Sequence, residues 1–278
     1  MALSFIPEIW SATVLASLKK SLVYAGPGVV NRNYEGEIRQ QGDTVRIRSI
    51  SRPTISTYSK YATLTYEQLT DAQRALTIDQ AKSFSFVVDD IDRAQQPGGA
   101  LEEGMVEAAY GLRDRADSFV AALYSGVQSA NLIGTTAITS GDLAYTGLLS
   151  LGVKLDEADV PTEGRYVIVP PWYYAHLLNN DKFVRADASG STDGFRNGFI
   201  GRAAGFDVLK SNNVPVITGD DYAVQAGYPG AISYADQIVE VETLRLQTTF
   251  GTGVRGLHVY GAKLVRPDAI AVLTASKT

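Results

Sequence analysis

The chain has 278 residues, 45% of them hydrophobic and 20% charged, with a formal net charge of -5, two histidines and no cysteine. That composition supports one large folded domain or two modest ones and excludes wholesale disorder. It also excludes disulfides, thiolate nucleophiles and cysteine-held metals. An acidic chain lacks the Lys/Arg excess through which tight nucleic-acid binders neutralise phosphate.

The opening MALSFIPEIWSATVLASLKK contains no long apolar run, so neither a signal peptide nor a membrane span is expected, and synthesis in a cytoplasm is. Residues 6–22 read as an amphipathic helix, with Ile9, Trp10, Val14, Leu18 and Leu22 on one face. That face either covers the chain's own core or packs on a neighbour. Gly26-Pro27-Gly28 ends the segment.

Residues 43–50, DTVRIRSI, and 75–90, ALTIDQAKSFSFVVDD, both alternate as strands do; Leu76, Ile78, Phe84, Phe86 and Val88 all fall at even positions, with Gln80 and Lys82 breaking the apolar row. Joined by a polar stretch from Ser51 to Arg74, they suggest a projecting antiparallel ribbon, with a short helix near Tyr66–Arg74 as one way to structure the connection. An isolated two-stranded ribbon is marginal in water and its edges invite pairing. It would therefore lie on a partner, unless a third strand of the same chain covers it.

After the break at Gln96-Pro97-Gly98-Gly99 comes the strongest helical pattern, over 97–126. Leu101, Met105, Ala108, Leu112, Ala116, Phe119 and Leu123 form its apolar face; Glu102, Glu103, Glu107, Arg113, Asp114 and Asp117 form the other. A second helix is expected at 142–157, a buried strand at 165–169, and a short helix, WYYAHLL, opened by Pro170-Pro171. A loop rich in Gly, Ser, Asp and Asn spans 187–205, and strands follow at 206–209, 214–217, 222–226, 231–247, 255–266 and 269–274. The order is α+β, without βαβ alternation.

Catalytic patterns are sparse. Gly251-Thr-Gly253-Val-Arg-Gly256 is a literal GxGxxG, but a dinucleotide site needs a helix after it, and LHVYG reads as strand. His176 and His258 lack the partners of a triad or zinc site, and read as structural. Asp89, Asp90 and Asp92, and the pair Asp220 and Asp221, lack EF-hand spacing and read as solvated turns. No catalytic residue, metal or cofactor is expected. Arg46, Arg48 and Arg52 lie along the ribbon; the preferred partners are Glu102, Glu103 and Glu107 on a neighbouring helix, and DNA is the alternative.

Four stretches together resemble the HK97-like coat proteins of tailed bacteriophages: LTIDQAKSFSFVVDDIDRAQ from Leu76, RYVIVPPWYYAHLL from Arg165, NGFIGRAAGFDVLKSNNVP from Asn197 and GLHVYGAKLVRPDAIAVL from Gly256. Each is a residue pattern of moderate specificity; their order spans almost the whole chain. The resemblance implies an N-arm at 1–30, carrying Trp10, and an extended loop at 31–93 that lies over the adjacent subunit. It implies a peripheral P domain with the spine helix at 94–139, a central A domain at 140–250, and C-terminal strands at 251–278 returning to the P domain.

The implied role is a major capsid protein forming hexamers and pentamers of an icosahedral head around double-stranded DNA, with no sequence-specific DNA binding and no membrane partner. Scaffolding, portal and decoration proteins are its possible partners, the virion its location, and the host cytoplasm its place of assembly. The arm begins at once, which points to a separate scaffold or a mature chain. Lys60 sits where some relatives carry a cross-linking lysine, but no matching acid or asparagine is marked, and cross-linking is not expected. The nearest rival is an encapsulin-type shell of a cellular compartment. An enzyme would need a polar pocket, and a decoration or tail protein would commonly lack the long helix.

Overall fold

The computed structural model of the protein describes residues 23–33, 44–50, 55, 57, 60, 71–89, 100–180, 201–246 and 250–278. The helix expected at 6–22, with Trp10, lies outside the described residues, as does Arg52. So do Asp90 and Asp92 and most of the 187–205 loop.

The chain opens with a strap over residues 23–33, then β1 (Thr44–Ile50) and β2 (Asp71–Thr77). These two pair antiparallel from Thr44↔Thr77 to Ile50↔Asp71 and form a two-stranded sheet of their own. The expected ribbon therefore exists, but its second strand ends at Thr77. A separate strand, β3 (Gln80–Asp89), leaves the ribbon and enters the body. Residues 71–74 are strand, which corrects that end of the helix considered near Tyr66–Arg74; its residues 66–70 lie outside the described residues.

The body continues with α1 (Ala100–Ala121), extended by a 3-10 turn to Gly126, then β4 (Leu132–Ala137) and α2 (Gly141–Glu157). Next come β5 (Tyr166–Val169), α3 (Pro171–Leu178), β6 (Arg202–Ala203), β7 (Phe206–Lys210), β8 (Val216–Thr218) and β9 (Asp221–Gly227). The long β10 (Ile232–Arg245) and β11 (Gly251–Leu264), then β12 (Ile270–Ser276), complete the fold. One sheet has the order β10-β11-β3; the other runs β4-β12-β9-β5-β7-β6, with β8 added to β9.

Local chemistry explains the helices. Ser140 caps α2 by accepting the Leu143 N–H at its Oγ, 3.3 Å away, and Asp142 sits in the first turn, where the helix dipole favours a negative charge. Its Ala144, Leu148, Leu151 and Leu155 are fully buried in the main core. α3 starts at Pro171, whose missing N–H costs nothing there. Arg165 ties the end of α2 to β5. Its Nε and Nη2 donate to the carbonyls of Pro161 (2.8 Å) and Val160 (2.6 Å), and it pairs with Asp156 at 2.7 Å.

The spine helix α1 buries Ala109, Leu112, Ala116, Val120 and Ala121, so its inner face is turned slightly from the expected one. Asp117 is a correction. Its charge suggested the outer face, yet it is only 3% exposed, because it has hydrogen bonds to make inside: Oδ2 and Oδ1 accept the N–H groups of Val23 and Ala25, each at 3.3 Å. A second cluster, of Ala109, Leu112, Val241 and Val254 with Phe84, Phe86 and Met105, joins α1 to the three-stranded sheet. This cluster is why residues 80–89 belong to the body: their alternating phenylalanines need an apolar floor, and α1 with β10 and β11 supplies it.

Candidate assembly interface

The hairpin β1–β2 is anchored at its root. Ile47, Leu76 and Ile78 pack with Ala235 of β10 and Val259 of β11, and Arg74 donates to the Leu264 carbonyl at 3.2 Å. Past the root, no third strand among the described residues joins the pair. Ile55, between the two strands, is 97% exposed. An isoleucine so exposed, between the strands of a two-stranded ribbon, is the kind of apolar surface that marks an interaction site.

Other apolar groups stand outside the cores. On the outer face of α1, Val106 and Tyr110 are exposed, and the Arg113 guanidinium lies 4.2 Å from the Tyr110 ring centre. On α2, Leu149 and Val153 are exposed one turn apart. Phe250, just before β11, is 81% exposed. Sequence reading missed Ile55, Tyr110 and Phe250. Ile55 had a signal, an isolated aliphatic inside the polar run Ser51–Lys60, whereas an exposed Tyr or Phe on a patterned element looks like any core residue.

Of the residues expected to make intersubunit contacts, those among the described residues fall on β1 and α1. Arg46 is exposed on β1, and Arg48 follows on the same strand, opposite Gln73. Glu107 is exposed on α1, and Glu102 and Glu103 lie in that helix's first turn. Among the described residues, no ion pair joins Arg46 to Glu107 within one chain. Arg46 and Arg48 thus lie on β1, and Glu102, Glu103 and Glu107 on α1.

The interior electrostatics hold parts in place rather than forming a cleft. Arg32 of the strap pairs with Asp236 of β10, whose side chain is 1% exposed, and the equally buried His258 lies 3.5 Å from the other Asp236 oxygen. Burial pushes the Asp117 carboxyl up from its ordinary range, against the pull of the backbone N–H groups of Ala25, Val23 and Tyr24 and the charge of Arg113. Burial likewise raises Tyr24, Tyr166 and Tyr173. The GxGxxG sequence lies inside β11, paired on both sides, and opens no helix. Among the described residues, no three His, Asp or Glu side chains are grouped to hold a metal, and no helix is long and apolar enough to cross a membrane.

A helical spine, two sheets and a self-paired hairpin with exposed apolar residues define a structural protein of HK97-like fold. The chain belongs to the phage capsid protein family, whose pattern matches residues 71–273, and is a phage major capsid protein.

A solved chain from Mycobacterium phage Che8 is 35% identical, with a TM-score of 0.77 and 91% of each chain covered. The capsid of the cyanophage P-SCSP1u matches at 19% identity and a TM-score of 0.74, over 94% of this chain and 90% of that one. The SrpI encapsulin of Synechococcus elongatus shares the fold at 13% identity and a TM-score of 0.58, over 87% and 85%. No curated protein sequence matches the chain significantly.

Proposed function

We propose that the protein builds an icosahedral head by closing hexamers and pentamers around double-stranded DNA, and that it does so by mutual coverage, without catalysis. The observation that carries this reading is the hairpin β1–β2, which among the described residues pairs only with itself and leaves Ile55 exposed. Laid on a neighbouring copy, its exposed part beyond the root gains cover that the described residues of its own chain do not supply. The 35% identity to the Che8 chain against 13% to the encapsulin supports the viral reading over the cellular compartment.

Within that reading, residues 1–30 act as the arm, with Trp10 packing on a neighbour. Residues 31–93 form the extended loop, its root being β3 in the body. The spine helix and 94–139 form the peripheral domain, 140–250 mainly the central domain, and 251–278 the returning strands. Arg46, Arg48 and Arg52 of one copy meet Glu102, Glu103 and Glu107 of the next, which fixes register more than affinity. The acidic net charge of -5 suits a container that packs and releases DNA without sequence-specific grip. Scaffolding, portal and decoration proteins would complete the particle, assembled in the host cytoplasm and retained in the virion.

Electron microscopy of the purified protein, produced alone and with the neighbouring phage proteins, tests the reading. Closed shells or tubes with a regular lattice of capsomers are expected. Particles that enclose an enzyme instead of DNA when isolated from their native source would favour the compartment.

A further inference from the structure

One side of the spine helix changes its exposure partway along. Val106, Tyr110, Arg113, Asp117 and Ala121 are spaced four, three, four and four apart, which puts them on one stripe of α1. Towards the helix C-terminus the stripe is covered. Asp117 is 3% exposed and accepts the N–H groups of Val23 and Ala25 from the strap, and Ala121 lies in the main core. Towards the N-terminus the same stripe is bare, with Val106 61% and Tyr110 55% exposed. Arg113 stands at the border, half-buried, its guanidinium laid over the Tyr110 ring. The strap thus covers this stripe only up to its own first residue, Val23.

The chain that precedes Val23 carries a matching surface. Leu22, Leu18 and Val14 are four residues apart and share one face of the helix expected over 6–22. Residue 22 must leave the body beside Asp117, because its neighbour Val23 is bonded there. From Arg113 to Val106 the bare stripe is seven residues long, about 10 Å of helix; from Leu22 to Val14 the segment rises eight residues, about 12 Å. Charge agrees as well as length. Residues 9–22 hold Lys19 and Lys20 and no acid, while Asp114 flanks the stripe beside Arg113.

We propose that residues 11–22 lie as a helix along α1 of their own chain, with Leu22, Leu18 and Val14 covering Arg113, Tyr110 and Val106. Two apolar sides that are each exposed when apart then leave water together. Trp10 falls one turn beyond Val106, near the start of α1, where a neighbouring copy can meet it. The docking belongs to a single chain and stands apart from the shell reading.

Cross-linking in the full-length unassembled subunit tests it. The chain has no cysteine, so Leu18→Cys with Tyr110→Cys offers a single thiol pair to a short bismaleimide. A link within one chain is expected, at several times the yield from Leu18→Cys with Arg115→Cys, since Arg115 is exposed on another side of α1. Links only between chains would assign the stripe to a second copy and overturn the proposal; so would equal yields from the two pairs, or no link at all. Hydrogen exchange needs no cysteine variant. Amides of residues 11–22 are expected to be protected in the unsubstituted chain, and to lose that protection several-fold in Tyr110→Glu, whose exposed position leaves the body's protection unchanged. Exchange of residues 11–22 at the rate of an unstructured chain, or protection unmoved by Tyr110→Glu, overturns the proposal.

Discussion

Phe84 of β3 lies across Gly256, its register partner on β11, so closely that a Cβ at that glycine would overlap the phenyl ring. Two residues along, Phe86 stands in the same relation to Gly104 of α1, where a Cβ would come within 2.8 Å of the ring. The third glycine of the GxGxxG sequence is thus accounted for by aromatic packing, with no phosphate involved. Gly256→Val is expected to destabilise the subunit by roughly 1–3 kcal/mol through overpacking. Pairing it with Phe84→Leu should recover part of that loss, as residues in contact couple. Chemical denaturation of the two single variants and the double variant reads the coupling; additive losses would show that the two side chains do not meet.

The orientation of the spine helix can be tested by placing one charge at two adjacent positions. Val120 is fully buried, whereas Phe119 is half-buried, with its ring edge-on to Tyr260 at 5.5 Å. Val120→Asp should abolish soluble folded protein, since an unpaired buried charge costs about 4 kcal/mol or more. Phe119→Asp should be milder, because its carboxylate can reach water. Soluble yield and circular dichroism decide the order.

How much of this was legible in the sequence follows from what the pattern encodes. α2 and α3 were readable to within a residue or two because cap, dipole and apolar period agree at Ser140, Asp142 and Pro171. The strand from 75 to 90 was misread as one piece because the apolar row, interrupted only at Gln80 and Lys82, resumes in phase at Phe84, while the pairing partner changes from β1 to β11. Periodicity reports which face is buried, and it carries no information on which neighbour does the burying. Asp117 was misplaced for a related reason: a charge inside a helix signals solvent unless its partners are known, and these are backbone amides ninety residues away in sequence. The arginine and glutamate sets were legible as residues, but their proposed pairing is between copies, and no contact within one chain bears on it.

Arg165 is 5% exposed and spends its guanidinium on two carbonyls and Asp156. A lysine keeps the charge but has no planar fork to reach all three acceptors. Arg165→Lys is therefore expected to cost roughly 1–3 kcal/mol. The thermal midpoint measures it; an unchanged midpoint would mean that the clamp between α2 and β5 carries no load.

Tyr24, Tyr166 and Tyr173 are buried with their phenols pushed up, and Tyr173 donates to the Ala144 carbonyl at 2.7 Å. In the unfolded chain these groups lose their protons near the ordinary tyrosine value of about 10. Above that pH the native state holds more protons than the unfolded one, so stability falls as pH rises. Alkaline titration followed by tyrosinate absorbance should show a late, cooperative step coincident with loss of circular dichroism. Gradual ionisation of every tyrosine in the intact fold would contradict the burial.

The central claim is that the β1–β2 hairpin is completed by a neighbouring copy and not by its own chain. Replacing residues 52–70 with a short glycine linker removes Ile55 and the tip while keeping both strands and the Arg74 bond to Leu264. Electron microscopy and sedimentation of this variant, beside its thermal unfolding curve, form the most direct test. A soluble subunit with a near-normal midpoint and no closed shells is the result the account predicts; shells formed at normal yield would contradict it.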